Sequence, residues 1–92
     1  MHWAALRNYR HVVQYLVESG AIVEFQDLGG RTALCLAAQG KSLETVKLLL
    51  SIGANPFHKS NSGKTPIDYC NDTITSYYIQ KAQQVTIQDL KL

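Results

Sequence analysis

A repeat of 33 residues runs through this 92-residue chain and restricts the folds that it can adopt. At this offset, small residues, large apolar residues and glycines each align with their own kind. The matched segments are residues 2–5 with 35–38, residues 20–21 with 53–54, and residues 30–34 with 63–67. A period of this length is typical of stacked repeat architectures, in which each unit buries its apolar face against the next.

Each unit carries the sequence features of two helices and a turn. The first helix is short and rich in alanine, so that a neighbouring unit can approach closely. Thr65-Pro66 predicts the start of such a helix, because Thr caps free N–H groups and Pro suits the first helical position. Gly20 and Gly53 fall where a left-handed residue would end the second helix. That helix has apolar residues at helical spacing: Val12, Val13, Leu16 and Val17, then Leu43, Val46, Leu49 and Leu50.

These residues resemble the ankyrin repeat, whose pattern is Gly-x-Thr-Pro-Leu-His-x-Ala-Ala, a helix of the type Val-x-x-Leu-Leu, and Gly-Ala. The resemblance covers residues 2 to about 72 and is carried by residues 2–5, 46–54 and 65–68. It implies an all-α fold, an ankyrin-repeat solenoid of antiparallel helix pairs with hairpin-like finger loops. Such stacks bind partners, mostly proteins, along the fingers and the concave face of the first helices.

Two departures from the family pattern affect the second unit. Cys35 stands where the family has a histidine, so we expect the hydrogen bond of that histidine to be absent or replaced there. His2 retains the histidine in the first unit and is expected to have a structural role. The family prefers glycine between the two helices, where this chain has Asn8 and Lys41. Because Asn tolerates a left-handed conformation better than Lys, we expect the turn at residues 40–41 to be adjusted.

The repeat divides the chain into three predicted units, at about residues 1–26, 27–59 and 60–84. The first is expected to be truncated and the last degenerate, with a final helix over about residues 73–84. Residues 85–92 are predicted to be a tail or linker. From these ends we expect a fragment of a longer stack, whose apolar N-terminal end permits self-association or requires a partner.

Composition excludes several classes of function. The formal net charge is +2 and the basic residues are scattered, so nucleic-acid binding is not expected. The longest apolar run, residues 48–50, is far too short for membrane insertion. The two cysteines have no CxxC spacing, which favours a reducing compartment and hence a cytoplasmic or nuclear location.

No constellation in the sequence predicts catalysis. His11 and His58 have no cysteine or acidic residue at metal-ligand spacing. By the resemblance, Cys35 takes the place of the family histidine and Cys70 that of a packed alanine, and both are expected to be small buried residues rather than nucleophiles. We therefore predict that the chain is not an enzyme and has no catalytic residue, no metal site and no cofactor.

The resemblance places contact-prone positions on the fingers and on the concave helix face. Leu28 is the most informative, since a solvated turn rarely needs an exposed leucine. Trp3 and Tyr69 border this groove, and packing between repeats is their expected role. The basic residues give the groove a mild positive bias, which favours an acidic peptide or protein face. The predicted partner-binding residues are Leu6, Arg7, Gln26, Leu28, Arg31, Gln39, Lys59, Asn61, Ser62 and Lys64.

The leading functional hypothesis is a protein–protein interaction module that binds through the finger loops and the concave helix face. The alternative is a regulatory or architectural segment of a larger enzyme, channel or ubiquitin-ligase adaptor. Self-assembly as the function also stays open at this stage.

Overall fold

The chain folds into helix pairs, as a computed structural model of residues 1–90 shows; side chains are described as far as residue 85. No strand occurs within these residues, so the predicted all-α class is confirmed. The helices are α1 (His2–Leu6), α2 (Arg10–Glu18), α3 (Ala33–Gln39), α4 (Leu43–Ser51) and α5 (Thr73–Leu90), with a 3-10 turn at Ile67–Tyr69.

The turns within the first two helix pairs have the same conformation. Asn8 has φ 60° and Lys41 has φ 56°, so both residues are left-handed. The expected adjustment at Lys41 was therefore wrong. The reason lies in the next residue: Ser42 is buried, donates its N–H to the Ala37 carbonyl at 2.9 Å, and donates its hydroxyl to the Leu6 carbonyl at 3.0 Å. The Ser42–Ala37 bond repeats the bond from the Tyr9 N–H to the Ala4 carbonyl, at 2.8 Å, and this shared closure holds the backbone at Lys41 whatever the preference of its side chain.

The first two units approach each other most closely at Gly40. A Cβ added to Gly40 would overlap the carbonyl oxygen of Leu6, so only glycine allows this approach. Beside it, the side-chain oxygen of Asn8 accepts hydrogen bonds from the Thr45 N–H at 3.3 Å and from the Thr45 hydroxyl at 3.0 Å. Polar groups as well as apolar packing therefore fix how the second unit sits on the first.

The second helices end where the sequence predicts. Gly20 and Gly53 have φ values of 101° and 95°, which confirms the left-handed residue expected at each end. After Gly20, the N–H of Ala21 donates to the Leu16 carbonyl at 2.9 Å. This 6→1 bond is the usual closure of a helix by a left-handed glycine.

The core lies between neighbouring helices of successive units. Alanines at residues 4–5 and 37–38 are buried where α1 packs on α3, and their small side chains let the two helices lie close together. In the second helices of the same units, Val13 of α2 and Val46 of α4 are also fully buried. Ile79 extends this cluster into α5. One continuous apolar core therefore joins the three units.

The third unit departs from the other two at both of its helices. Its first helix is only the 3-10 turn, because Cys70 is extended at φ −69°, ψ 141°. Asp72 then caps α5, since its carboxylate accepts the Thr75 N–H at 3.2 Å and the Thr75 hydroxyl at 2.9 Å. The predicted end of the last helix near residue 84 was too early: no Gly or Pro interrupts residues 73–90, and α5 continues to Leu90. The rest of the predicted tail, residues 91–92, lies outside the described residues.

Candidate partner-binding site

The first finger is the loop of residues 22–31, and its tip is a closed turn. The Asp27 N–H donates to the Arg31 carbonyl, and the Gly30 N–H donates to the Asp27 carbonyl, both at 3.0 Å. One carboxylate oxygen of Asp27 also accepts from the N–H groups of Gly29 at 2.9 Å and Arg31 at 2.8 Å. Gly30 adopts φ 75°, a conformation that favours glycine. The tip is therefore fixed by its own hydrogen bonds.

Arg31 is tied to the same carboxylate through its side chain. Its Nε lies 2.8 Å from the second carboxylate oxygen of Asp27. Burial acts to raise the pKa of Asp27, but the hydrogen bonds and charge of Arg31, with the Gly29 N–H, outweigh it, and the net pKa is lowered. Arg31 was predicted as a partner contact; the structure shows that its guanidinium also holds the finger together.

Leu28 projects from this closed turn with its side chain fully exposed, at 103%. Its backbone is not free, because its carbonyl accepts a hydrogen bond from the Asn61 side-chain amide at 3.1 Å. An apolar side chain is thus presented to solvent by a backbone that is held from two sides.

The second finger is the loop of residues 55–64, and it repeats the turn of the first. The Ser60 N–H donates to the Lys64 carbonyl, and the Gly63 N–H donates to the Ser60 carbonyl, both at 2.9 Å. The fingers lie side by side, since the Asn61 N–H donates to the Gly29 carbonyl at 2.9 Å. The structure therefore brings together the finger residues that the sequence singled out.

Two histidines bind the backbone of the first finger. The ring Nε2 of His2 lies 3.0 Å from the Arg31 carbonyl, which confirms its structural role. The shorter side chain of Cys35, at the equivalent position of the second unit, forms no such bond, and its sulfur accepts a hydrogen bond from the Thr32 hydroxyl at 3.6 Å. His58 of the second finger lies 2.7 Å from the Gly30 carbonyl, which also belongs to the first finger. Sequence reasoning missed this role of His58, and the repeat pattern carried no signal for it.

The predicted residues on the helix face lie at the ends of the first helices. Leu6 is half-buried at the end of α1, followed by the exposed Arg7. Gln39 is exposed at the end of α3, and its carbonyl accepts a bond from the Asn71 amide at 2.9 Å. These ends lie next to one another, because the Leu6 carbonyl also binds Ser42 of the following unit.

The remaining predicted finger residues are exposed, and several surround Tyr69. The Tyr69 hydroxyl donates to the Ser60 hydroxyl at 2.8 Å, and Ser60 in turn hydrogen-bonds the Ser62 hydroxyl at 3.0 Å. The Lys64 ammonium lies 5.8 Å from the centre of the Tyr69 ring. Tyr69 therefore supports the base of the second finger, through contacts within its own unit. Gln26 and Lys59 are exposed.

Packing between repeats, the role that the sequence favoured for Trp3, stays a prediction. The side chain of Trp3 is 60% exposed, and its ring contacts Tyr9 edge-on at 5.2 Å between centroids. The Arg7 guanidinium lies 5.6 Å from the centre of the same ring. These contacts are within its own unit, and the equivalent Leu36 is buried.

The cysteines are not arranged for nucleophilic chemistry. Cys35 is fully buried. Cys70 is partly buried, and burial, with the charges of Asp72 and Asp68, raises the pKa of its thiol to about 11. A thiol with so high a pKa stays protonated near neutrality and is a poor nucleophile.

The part of the chain that the structure describes brings no group of three His, Cys, Asp or Glu residues together as a metal site. None of the described helices is long and apolar enough to cross a membrane.

Comparisons with known proteins agree with this geometry. The family model of ankyrin repeats in three copies matches residues 1–89. A Danio rerio protein, putative palmitoyltransferase ZDHHC13, is 31% identical over 97 residues, which cover 98% of this chain and 15% of that protein. Human SH3 and multiple ankyrin repeat domains protein 2 is 36% identical over 64 residues, or 70% of this chain and 4% of the relative. The human transient receptor potential cation channel subfamily A member 1 is 38% identical over 64 residues, or 70% of this chain and 6% of the relative. The chain thus spans only a small part of each relative's length.

Proposed function

The chain belongs to the ankyrin-repeat family, and we propose that it binds a partner protein through its finger loops and the concave face of α1 and α3. Ankyrin repeats are protein-interaction modules, so the open questions are which face binds and what it binds. The observation that carries the proposal is Leu28, an exposed apolar side chain on a closed and doubly anchored turn.

Rigidity supports the choice of the fingers as the binding face. Binding costs conformational entropy for every loop that must be ordered, and a preformed loop avoids this cost. The first finger is held internally by Asp27 and externally by Asn61. Leu28 can therefore enter an apolar pocket of a partner without ordering the finger first, which is the behaviour of an interface anchor.

Charge supports an acidic partner face. Lys59 and Lys64 are exposed on the second finger and Arg7 is exposed at the end of α1. None of these three forms a salt bridge among the described residues. Arg31 contributes less, because Asp27 already neutralises it. An acidic surface would gain both steering and specificity from the three unpaired cations.

The test compares capture of partner proteins by the wild-type chain and by Leu28→Glu. Leu28 makes no side-chain contact that the fold requires, so the variant should fold normally while losing the anchor. The matched control is Gln26→Glu, which adds the same charge at another exposed position of the same finger. Partners bound by wild type and Gln26→Glu but lost by Leu28→Glu support the proposal. Equal capture by all three proteins would exclude this face.

A second candidate is a regulatory or architectural segment of a larger enzyme, channel or ubiquitin-ligase adaptor. It is favoured by the relatives, which include a putative palmitoyltransferase and a cation channel subunit and of which the chain spans only 15% and 6%. The partner of the fingers would then be another domain of the same polypeptide. Cross-linking mass spectrometry on the parent protein with an amine-reactive reagent distinguishes the two, since intramolecular links from Lys59 or Lys64 to another domain support the second candidate.

A further inference from the structure

The turns of the two fingers, at residues 27–31 and 60–64, have the same backbone conformation. In both turns, the first residue donates its N–H to the carbonyl of the fifth, and its own carbonyl accepts the N–H of the fourth. The fourth residue is Gly30 in the first finger and Gly63 in the second, with φ values of 75° and 80°. Backbone groups at equivalent positions of the two turns therefore point in equivalent directions.

The first finger shows what this turn can bind, because it holds the carboxylate of Asp27. That carboxylate accepts the N–H groups of Gly29 at 2.9 Å and Arg31 at 2.8 Å, and it pairs with the Arg31 guanidinium at 2.8 Å. Two backbone donors and one cation thus converge on an anionic group. At the offset of 33 residues, the corresponding donors are the N–H groups of Ser62 and Lys64, and the corresponding cation is the Lys64 ammonium.

The second finger keeps these donors but has no carboxylate of its own for them. Ser60 stands at the position of Asp27. Among the described residues, the N–H groups of Ser62 and Lys64 have no hydrogen-bond acceptor, and the Lys64 ammonium has no salt-bridge partner. The groups that hold a carboxylate in the first finger are therefore free to bind one in the second.

A serine hydroxyl adds a further donor at this turn. The Tyr69 hydroxyl donates to the Ser60 hydroxyl, which shares one hydrogen bond with the hydroxyl of Ser62. Since three hydroxyl protons serve these two bonds, one serine proton has no acceptor, whichever serine donates to the other. A carboxylate bound at the turn can accept that proton.

This side of the turn is accessible to a partner. Ser62 and Lys64 are exposed, and Lys59 adds a second exposed cation on the same finger. In the first finger, the side chains of Arg31 and Asp27 stay 38% and 22% exposed, although the second finger packs on that turn. A neighbouring finger in this geometry therefore does not cover the position of the carboxylate.

We propose that the turn of the second finger binds a carboxylate of the partner protein, supplied by the side chain of an Asp or Glu. The carboxylate accepts the backbone N–H groups of Ser62 and Lys64 and pairs with the Lys64 ammonium, as Asp27 does with its own donors in the first finger. Charge-assisted hydrogen bonds of this kind are stronger than neutral ones. The inference rests on the proposed function and names the group by which an acidic partner face is recognised.

The wild-type chain tests the site without a known partner. Proton–nitrogen NMR spectra are recorded while sodium acetate is added at neutral pH, where acetate is ionised. We expect the amide resonances of Ser62 and Lys64 to move further than they do in sodium chloride of equal ionic strength. Those of Gly29 and Arg31 should not exceed the chloride response, because Asp27 already binds their N–H groups.

Two variants assign the response to the turn. Ser60→Asp supplies the carboxylate from the chain itself, as Asp27 does, and should abolish the response to acetate. Asn55→Asp is the matched control, because it adds the same charge to the same finger and keeps the side-chain oxygen that accepts the Phe57 N–H. This control should respond as the wild type does. Circular dichroism confirms that both variants fold.

The same variants distinguish failure of this site from failure of the fingers as a binding face. A partner that wild type captures and Leu28→Glu loses should bind Ser60→Asp roughly tenfold more weakly than Asn55→Asp. Equal binding of such a partner to Ser60→Asp and Asn55→Asp would exclude the carboxylate site and leave the finger face intact. If no partner depends on Leu28, the proposed function fails, and the acetate titration still decides whether the turn binds a carboxylate.

Three results of the titration would overturn the proposal. One is a response of Ser62 and Lys64 to acetate that does not exceed the response to chloride. Another is an acetate response that Ser60→Asp retains, because the anion would then lie elsewhere. The third is a response to inorganic phosphate without one to acetate, since the turn would then bind phosphate groups rather than carboxylates.

Discussion

The ring nitrogen Nε2 of His58 lies 2.7 Å from the carbonyl oxygen of Gly30 and joins the second finger to the first. Because the partner is a carbonyl, the ring N–H must be the donor. At the first junction the bond runs from helix α1 to the finger, between His2 and the Arg31 carbonyl. In the second unit Cys35 takes the repeat position of His2, and the carbonyl equivalent to that of Arg31 belongs to Lys64, which accepts the Ser60 N–H. The His58 bond therefore adds a contact between the two fingers and does not replace the bond lost at Cys35.

Replacement of His58 should loosen the contact between the two fingers. We expect His58→Ala to lower the free energy of unfolding by about 1 kcal/mol, the usual net value of a hydrogen bond. His11→Ala is the matched control, because His11 is exposed and forms no described hydrogen bond. Urea denaturation followed by circular dichroism measures both. Equal midpoints for the two variants would show that the His58 contact does not support the stack.

Gly40 should not tolerate a side chain. Gly40→Ala places a methyl group on the Leu6 carbonyl oxygen and should destabilise the fold by about 1–3 kcal/mol, as overpacking does elsewhere. Gly29→Ala is the control, since the nearest atoms to its added Cβ are side-chain atoms at 3.5 Å. Thermal unfolding should therefore separate the two alanine variants. A Gly40→Ala protein as stable as Gly29→Ala would contradict the close approach at this junction.

Lys41 holds a left-handed conformation that costs a residue with a side chain about 1–2 kcal/mol. Lys41→Gly should remove most of this cost and raise the free energy of unfolding by about 1 kcal/mol. Lys41→Ala loses the lysine side chain but keeps the strain, so its stability should stay near that of wild type. Chemical denaturation of all three proteins measures the difference. If glycine and alanine have the same effect, the strain at residue 41 is not significant.

The raised pKa of Cys70 makes stability fall at high pH. The thiol ionises near its ordinary pKa of 9.0 when the chain is unfolded, but only at about 11 when it is folded. The unfolded chain thus releases its proton first, so the contribution of Cys70 is fully present below pH 9 and is lost as pH rises through 11.

Unfolding free energies measured from pH 8 to pH 11 test this expectation. The wild-type protein should lose stability more steeply above pH 9 than Cys70→Ala, whose curve reports all the other groups that titrate there. Parallel curves would mean that folding does not shift the pKa of the Cys70 thiol.

The repeat made much of the fold predictable. The period located the helix pairs, and the glycines located the ends of α2 and α4, because a left-handed C-terminal residue is a local preference that glycine satisfies. Lys41 was not predictable in this way. Its conformation accompanies the turn bond from the Ser42 N–H to the Ala37 carbonyl, which repeats the Tyr9–Ala4 bond of the first unit, and this closure overrides the preference of the lysine side chain.

The sequence predicted which residues lie at the candidate site, but it did not predict which contacts their side chains make there. Leu28 and Lys59 are exposed, as partner contacts must be. The side chains of Arg31 and Asn61 already form bonds within the fingers. Arg31 pairs with Asp27, and the Asn61 amide donates to the Leu28 carbonyl. The spacing of a repeat shows which residues share a face, but it does not show which hydrogen bonds their side chains already make.

The central claim is that the finger loops are the binding face, and hydrogen–deuterium exchange tests it most directly. The chain is compared free and saturated with the partner that Leu28→Glu fails to capture. Slower exchange of backbone amides in residues 26–31 and 59–64, with little change along α2, is the result we expect. Protection confined to α2 or α5, with the fingers unchanged, would contradict the account.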